Sequence, residues 1–345
     1  FWAFALTMFA ALLVGLAADY PQLNIRIEVG YLFLYSSFLA VVKNEDDPLG
    51  LIKALFFAMA AASFLVAAEF YWIVAKFGVQ RVLSRQQTVL AGVIIGVAAY
   101  FFLLRGRPLW ERLFMAGALV ASGLAVLMGV QRTTLLGLLA AYPALVTLLW
   151  LRKWLSFKGY ILSLVIFVVA GAAVVAAIYF SPYRWFLEAA FRRIALASQG
   201  LSNTSVKVRL IDAKAALGLW IRQPVFGQGI GCPLWLWWLK QVSFILDNSY
   251  VVYLWKTGIA GFLAFFSFYF WGIFAALRGF WRARDPERAF VYFTALGFLA
   301  FQLIVGLTTA NLYVYRFQFM WGALIGALAL AEGSPQGAPR PLKEL

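Results

Sequence analysis

The chain contains no histidine and a single cysteine, Cys232, so its chemistry has to be done with carboxylates, arginines and hydroxyls. Histidine general bases, histidine-held metals and intrachain disulfides are excluded at the outset. Among the fourteen carboxylates, two stand against apolar sequence. Asp247 opens "LDNSYVVYLWKTGIAGFLAFF", and Glu69 lies inside "AAEFYWIVAK". A carboxylate there can accept a proton, pair with a cation or cap a helix, and each use needs different neighbours. Asp-Asn ahead of "SYVVYLW" is a fair N-cap, worth about 1 kcal/mol. Glu69 reads as an arginine partner rather than a second base. Arg132, in "GVQRTTLLGLL", falls in a short joint between two apolar runs, where its guanidinium either snorkels to water or points between helices. Arg209 has a local partner three residues on in Asp212.

These residues sit in a chain of 345 residues that is 64% hydrophobic, only 12% charged, and has a mean hydropathy of +0.86. That balance belongs to an integral membrane protein. Continuous rather than alternating apolar runs make it all-α. Runs of spanning size are expected at about 1–18, 29–42, 49–75, 87–104, 110–129, 133–150, 159–180, 259–278, 289–309 and 313–331, the second being short. The chain opens at Phe1 inside an apolar run, which reads as a beginning that lies further upstream. No repeat or nucleotide-binding pattern is present; "GQGIG" follows no strand and opens no helix. Residues 1–345 read as one transmembrane domain.

Residues 181–258 interrupt the short joints and are expected to fold. After Ser181-Pro182, Arg184, Glu188 and Arg192 recur on one helical face. A second helix after "SNT" should place Val206, Leu210, Leu217 and Ile221 on an apolar stripe, until Pro224 stops it. The loop also carries nine Lys/Arg, including Arg193, Lys207, Lys240 and Lys256, against Glu188, Asp212 and Asp247. Either anionic lipid headgroups or a phosphate or pyrophosphate on a lipid carrier would account for this excess. With the tail cytoplasmic, the short joints hold fourteen Lys/Arg inside and six outside. That asymmetry places the long loop on the extracytoplasmic side.

Three stretches in order, "QRTTLLGLLAAYPALVTLLW", "VRLIDAKAALGLWIRQPVFGQGIG" and "DNSYVVYLWKTGIAGFLAFF", resemble the motif series of the O-antigen polymerase and O-antigen ligase family. In that family an Arg opens a membrane helix, and a second Arg heads a loop helix leading to a Pro-x-x-Gly-x-Gly turn. His-Asn or Asp-Asn, a Tyr and a Gly-x-x-Gly helix start follow. The resemblance covers roughly residues 130–280. It implies a GT-C-like membrane glycosyltransferase of the bacterial inner membrane, with about ten or more spans and a periplasmic site. Its donor would be a glycan on undecaprenyl pyrophosphate, and it would need no metal or cofactor. By position, Arg132 and Arg209 match the donor-phosphate arginines and Asp247 the acid-base residue, which is His in the ligases. Arg184, Arg192, Asn248, Tyr250 and Glu69 are candidates for substrate contacts.

The Asp points toward a polymerase acting on lipid-linked repeat units, with membrane lipids and a chain-length regulator as partners and no nucleic acid. A ligase or protein O-oligosaccharyltransferase is the near alternative. A flippase is the distant one, and it would want cationic cavities at mid-membrane depth between related halves.

Overall fold

The computed structural model describes residues 2–20, 31–44, 46–77, 87–129, 132–180, 184, 188, 204–237, 240–243, 245–310, 312–313 and 315–333. Its helices are α1 Trp2–Ala17, α2 Tyr31–Asn44, α3 Pro48–Phe77, α4 Gln87–Leu103, α5 Leu109–Gly129, α6 Arg132–Leu151, α7 Phe157–Tyr179, α8 Thr204–Trp220, α9 Ser249–Arg282, α10 Pro286–Gly306 and α11 Tyr315–Gly333. Five of them, α3, α5, α6, α9 and α10, are long and apolar enough to cross a membrane. Ten helices fall where the ten apolar runs were expected. The eleventh, α8, is the second helix expected in the long loop.

The all-α expectation holds, with one short hairpin added inside the loop. Within the loop, β1 Leu234–Leu236 pairs antiparallel with β2 Gln241–Ser243, in the register Leu234 with Ser243, Trp235 with Val242 and Leu236 with Gln241.

α10 is the axis of the bundle: 83% of its apolar window is buried, against 22% for α3. It packs on α4, α9 and α6. Its start is well specified, since the Asp285 side chain accepts from the Arg288 N–H at 3.0 Å and Pro286 takes the first helical position. The outer helices turn large apolar side chains outward, as α7 does with Val165, Ile166, Val168 and Val169. In water such a surface would be costly; in hydrocarbon it is the expected one.

The short span expected around 29–42 is α2, whose 14 residues reach only about 21 Å. Among the described helices its contact with α11 is the most extensive. Gly322 makes the approach possible, because a Cβ there would lie 2.3 Å from the Leu34 carbonyl oxygen.

Charges at the ends of the helices fit the alternation read from the sequence. Lys53, at 3.8 Å, and Arg107 both pair with Glu287, and the Arg152 guanidinium donates to the Ala283 carbonyl at 3.1 Å. Lys53, Arg107 and Arg152 are all among the fourteen Lys/Arg that the sequence count puts on the inner side. At the other end of the bundle, the joint between α10 and α11 closes over the head of α9.

α8 departs from its expected packing. Leu210 and Ile221 of its apolar stripe are exposed, at 51% and 68%, while Asp212 and Ala216 are its buried positions. Small and short side chains on the inner face let α8 sit close against α9. Leu217 is half-buried, and the Val206 side chain lies outside the described residues.

Candidate functional site

The site is built on a break in α9. At Gly258 the backbone takes φ 65° and ψ −171°, a conformation essentially confined to glycine, so the helical ladder is cut between Lys256 and Ile259. The Pro-x-x-Gly-x-Gly turn takes up the freed groups. The Gln228 and Gly229 N–H groups donate to the Trp255 and Lys256 carbonyls at 2.8 and 3.0 Å. In return, the Ile259 and Ala260 N–H groups donate to the Pro224 and Val225 carbonyls at 2.9 and 3.1 Å. A backbone group left unpaired away from water would cost about 1–3 kcal/mol, so turn and kink support each other.

Gly227, with φ 71°, explains why that turn is glycine-rich: a Cβ there would lie 2.5 Å from the Gly258 nitrogen. On its far side the turn is held to α1 through the Ile230 N–H and Ala11 carbonyl, 3.0 Å apart. Lys256, counted with the loop cations from sequence, is fully buried, and its Nζ donates to the Cys232 carbonyl at 2.6 Å. It ties the turn to the kink.

On this scaffold stands the head of α9. Asn248, not Asp247, is its cap. The Asn248 Oδ1 accepts from the Val251 N–H at 3.0 Å, and Nδ2 donates to the Leu307 carbonyl at 2.9 Å. The Ser249 Oγ donates to the Thr309 carbonyl at 2.8 Å and accepts from the Leu312 N–H at 3.2 Å. Tyr250 donates its hydroxyl to the Leu303 carbonyl at 2.7 Å and stacks one ring face on Phe266 at 4.9 Å. Capping is thus done by the neighbour, and the Asp247 carboxylate is left for other work.

That carboxylate meets Arg209 across 38 residues of sequence: Arg209 Nη2 lies 3.2 Å from Asp247 Oδ2. The two side chains remain 45% and 31% exposed, so an incoming group can reach both. A pair this open contributes only about 0–1 kcal/mol to stability. Asp212, the local partner that sequence offered Arg209, is instead 3% exposed, and its Oδ1 accepts from the Trp237 N–H at 3.0 Å. Burial pushes the Asp212 carboxyl above its ordinary range; the Trp237 N–H opposes this and the nearby Asp247 charge adds to it. No sequence signal singled out Asp212 beyond its spacing from Arg209.

The remaining candidates divide. Arg132 is the first residue of α6, and its side chain lies outside the described residues. Its helix begins at the same end of the bundle as Asp247. Five residues further on, a Cβ on Gly137 would meet Val305 of α10 at 3.6 Å, two residues before the carbonyl that Asn248 holds. Arg184 pairs with Glu188 at 3.1 Å and covers the Tyr179 ring at 4.5 Å, as a local surface cluster. Arg192 and Arg193 lie outside the described residues. Glu69 is on an exposed face of α3, with no ion-pair partner among the described residues and with exposed Tyr71 and Trp72 beside it. α3 is about 45 Å long, more than a hydrocarbon core needs.

A polytopic helical membrane protein with an accessible Arg-Asp pair over a broken helix is the class that this fold defines. Residues 117–266 match the family model described as O-antigen ligase. The resemblance read from the three motifs holds over that stretch, which contains Arg132, Arg209 and Asp247. The match supports a bacterial membrane protein with a ligase- or polymerase-like function. No curated protein matches the chain.

Proposed function

We propose that the protein is a polymerase of lipid-linked oligosaccharides, transferring the growing glycan from undecaprenyl pyrophosphate to the terminal sugar of an incoming lipid-linked repeat unit. The observation that carries this reading is the Arg209–Asp247 pair, open to approach and free of capping duty.

In the reaction the acceptor hydroxyl attacks the anomeric carbon from the face opposite the carrier, with inversion. The bond from that carbon to the pyrophosphate oxygen breaks, and the pyrophosphate leaves with the electron pair. The hydroxyl proton passes to Asp247. A carboxylate is a weak base, but the leaving group is already good, and the hydroxyl turns acidic only as the new bond forms. Arg209 holds Asp247 at rest and turns its donors to the phosphate charge as the donor binds; Arg132 supplies the second guanidinium. The carrier's polyprenyl tail reaches the site sideways from lipid. In this reading the ten apolar helices enclose a site on the extracytoplasmic side of the inner membrane.

A ligase transferring the same donor glycan to another acceptor is the second reading, favoured by the description of the matched family. Asp rather than His at position 247 favours the polymerase. Purified protein supplied only with pyrophosphate-linked repeat units should yield longer glycans. Failure to lengthen them, together with transfer of a labelled donor glycan to a different lipid acceptor, would replace the polymerase with the ligase.

A further inference from the structure

The outward side of the loop is neither a soluble surface nor a packed one. Leu210 and Ile221 of α8 stand exposed, with Lys207, Lys214 and Arg222 exposed among them. No exposed carboxylate interrupts this face among the described residues of α8. The apolar character is continuous with the lipid-facing surface of α9. Val225 and Phe226, which follow α8, are 52% and 48% exposed, and the turn they belong to is bonded to Ile259 and Ala260 at the head of the apolar segment. On that segment Leu263 is 55% exposed. The hairpin repeats the pattern: Leu234 and Leu236 face in, while Trp235 and Trp237 are 46% and 61% exposed. Asp212 latches the hairpin to α8 through Trp237.

We propose that α8 and the β1–β2 hairpin form an interfacial seat lying on the lipid leaflet beside the Arg209–Asp247 pair, with anionic phospholipid headgroups as its partner. Exposed aromatic rings and apolar side chains, beside cations whose long stems can snorkel to the headgroups, suit an element lying at the edge of the leaflet. Charge complementarity selects the anionic lipid, since the face carries cations alone. The seat would hold the Arg209–Asp247 pair at headgroup height, where a lipid-borne diphosphate travels. That consequence rests on the function proposed above; the seat itself does not.

The test uses full-length protein in nanodiscs of phosphatidylcholine, with or without phosphatidylglycerol. Cys232 is 4% exposed and stays in place, with unmutated protein as the labelling background. Nitroxides on Ile221→Cys and Trp237→Cys should be reached by oxygen more readily than by a water-soluble nickel chelate, at a depth of about 5–10 Å. A label on Arg284→Cys, exposed at the opposite end of the bundle, should behave as in water. Lys207→Gln with Lys214→Gln should lower the ratio of seated to unseated loop in phosphatidylglycerol by about fivefold per charge removed, and leave it unchanged in phosphatidylcholine alone.

Nickel-dominated access at positions 221 and 237 would overturn the seat. Equal loss in both lipids, or release by inorganic phosphate, would overturn the headgroup assignment. The readout needs no turnover, so a seated loop on a protein that elongates nothing would sink the polymerase alone. An elongating enzyme with a water-facing loop would sink the seat alone.

Discussion

Two charged clusters mark the two ends of the bundle, and they are built differently. At one end Glu287 takes both Lys53 and Arg107, Arg152 donates to the Ala283 carbonyl, and Asp285 caps α10. The ion pairs and the Arg152 bond tie one helix end to another, and Asp285 fixes the start of its own helix. At the other end most of the tying is done by neutral groups, the buried Lys256 that joins turn to kink being the exception: Asn248 caps α9, Ser249 and Tyr250 bond to carbonyls, and the glycine turn mends the broken helix. Arg209 and Asp247 stand on that scaffold without being needed to hold it. A charged pair that the fold does not need is a pair available for chemistry.

Substitutions at the two ends should therefore separate stability from activity. The largest effect is expected at the scaffold itself. Gly258→Ala places a Cβ 2.2 Å from the Val225 carbonyl oxygen, in a backbone conformation that costs a side chain about 1–3 kcal/mol before the clash is counted. Its expected signature is a lowered Tm and a loss of monodisperse protein in detergent. A wild-type Tm would show that the kink can relax. Next comes Arg209→Ala, which removes charge-assisted contacts worth about 1.5–3 kcal/mol. It should lower kcat/KM for the lipid-linked donor by about 10- to 150-fold and flatten its salt dependence, with Tm little changed. At the opposite end, Glu287→Gln should shift stability by about 1 kcal/mol or less and leave elongation at the wild-type rate. Reduced turnover there would blur the contrast between the two ends.

The smallest effect concerns pH. The Asp212 carboxyl is raised from its ordinary value of 3.8 by burial, so the folded protein binds this proton more tightly than the unfolded chain. Stability from this group is highest below the ordinary value, falls as pH rises toward the raised one, and is level above it. Asp212→Asn should remove that slope in a series of melts between acid and neutral pH. An unaltered slope would assign it to another group.

The apolar helices were legible because a bilayer demands about 20 apolar residues in a row, and the chain supplies apolar runs of about that size between charged joints, five of them as helices long enough to cross. α8 was legible from "SNT" and Pro224. Its packing was not, because Leu210 and Ile221 of the apolar stripe stand exposed while Asp212 and Ala216 face inward. The hairpin was hidden because "LWLWWLKQVSF" is apolar almost throughout and shows no alternation to mark a strand. The break at Gly258 was concealed by its position at the edge of an apolar run, although the glycine-rich turn that repairs it was visible as a motif.

For the pair itself, spacing along the chain favoured Asp212 as the partner of Arg209. Only the fold brings Asp247 to it and turns Asp212 toward a backbone N–H. Asp-Asn was read as a helix start, and it is one, with the two residues dividing capping and pairing between them. The place of the Arg132 side chain relative to the pair is an expectation from the motif series, open to the same kinetic comparison as Arg209.

The most direct test of the central claim is the initial rate of glycan elongation by purified Asp247→Asn beside wild type, with lipid-linked repeat units as both donor and acceptor. The substitution keeps the size of the side chain and leaves the Asn248 cap in place. The account predicts a rate lower by about 10²- to 10⁴-fold with Tm essentially unchanged. Elongation by Asp247→Asn at the wild-type rate would contradict it.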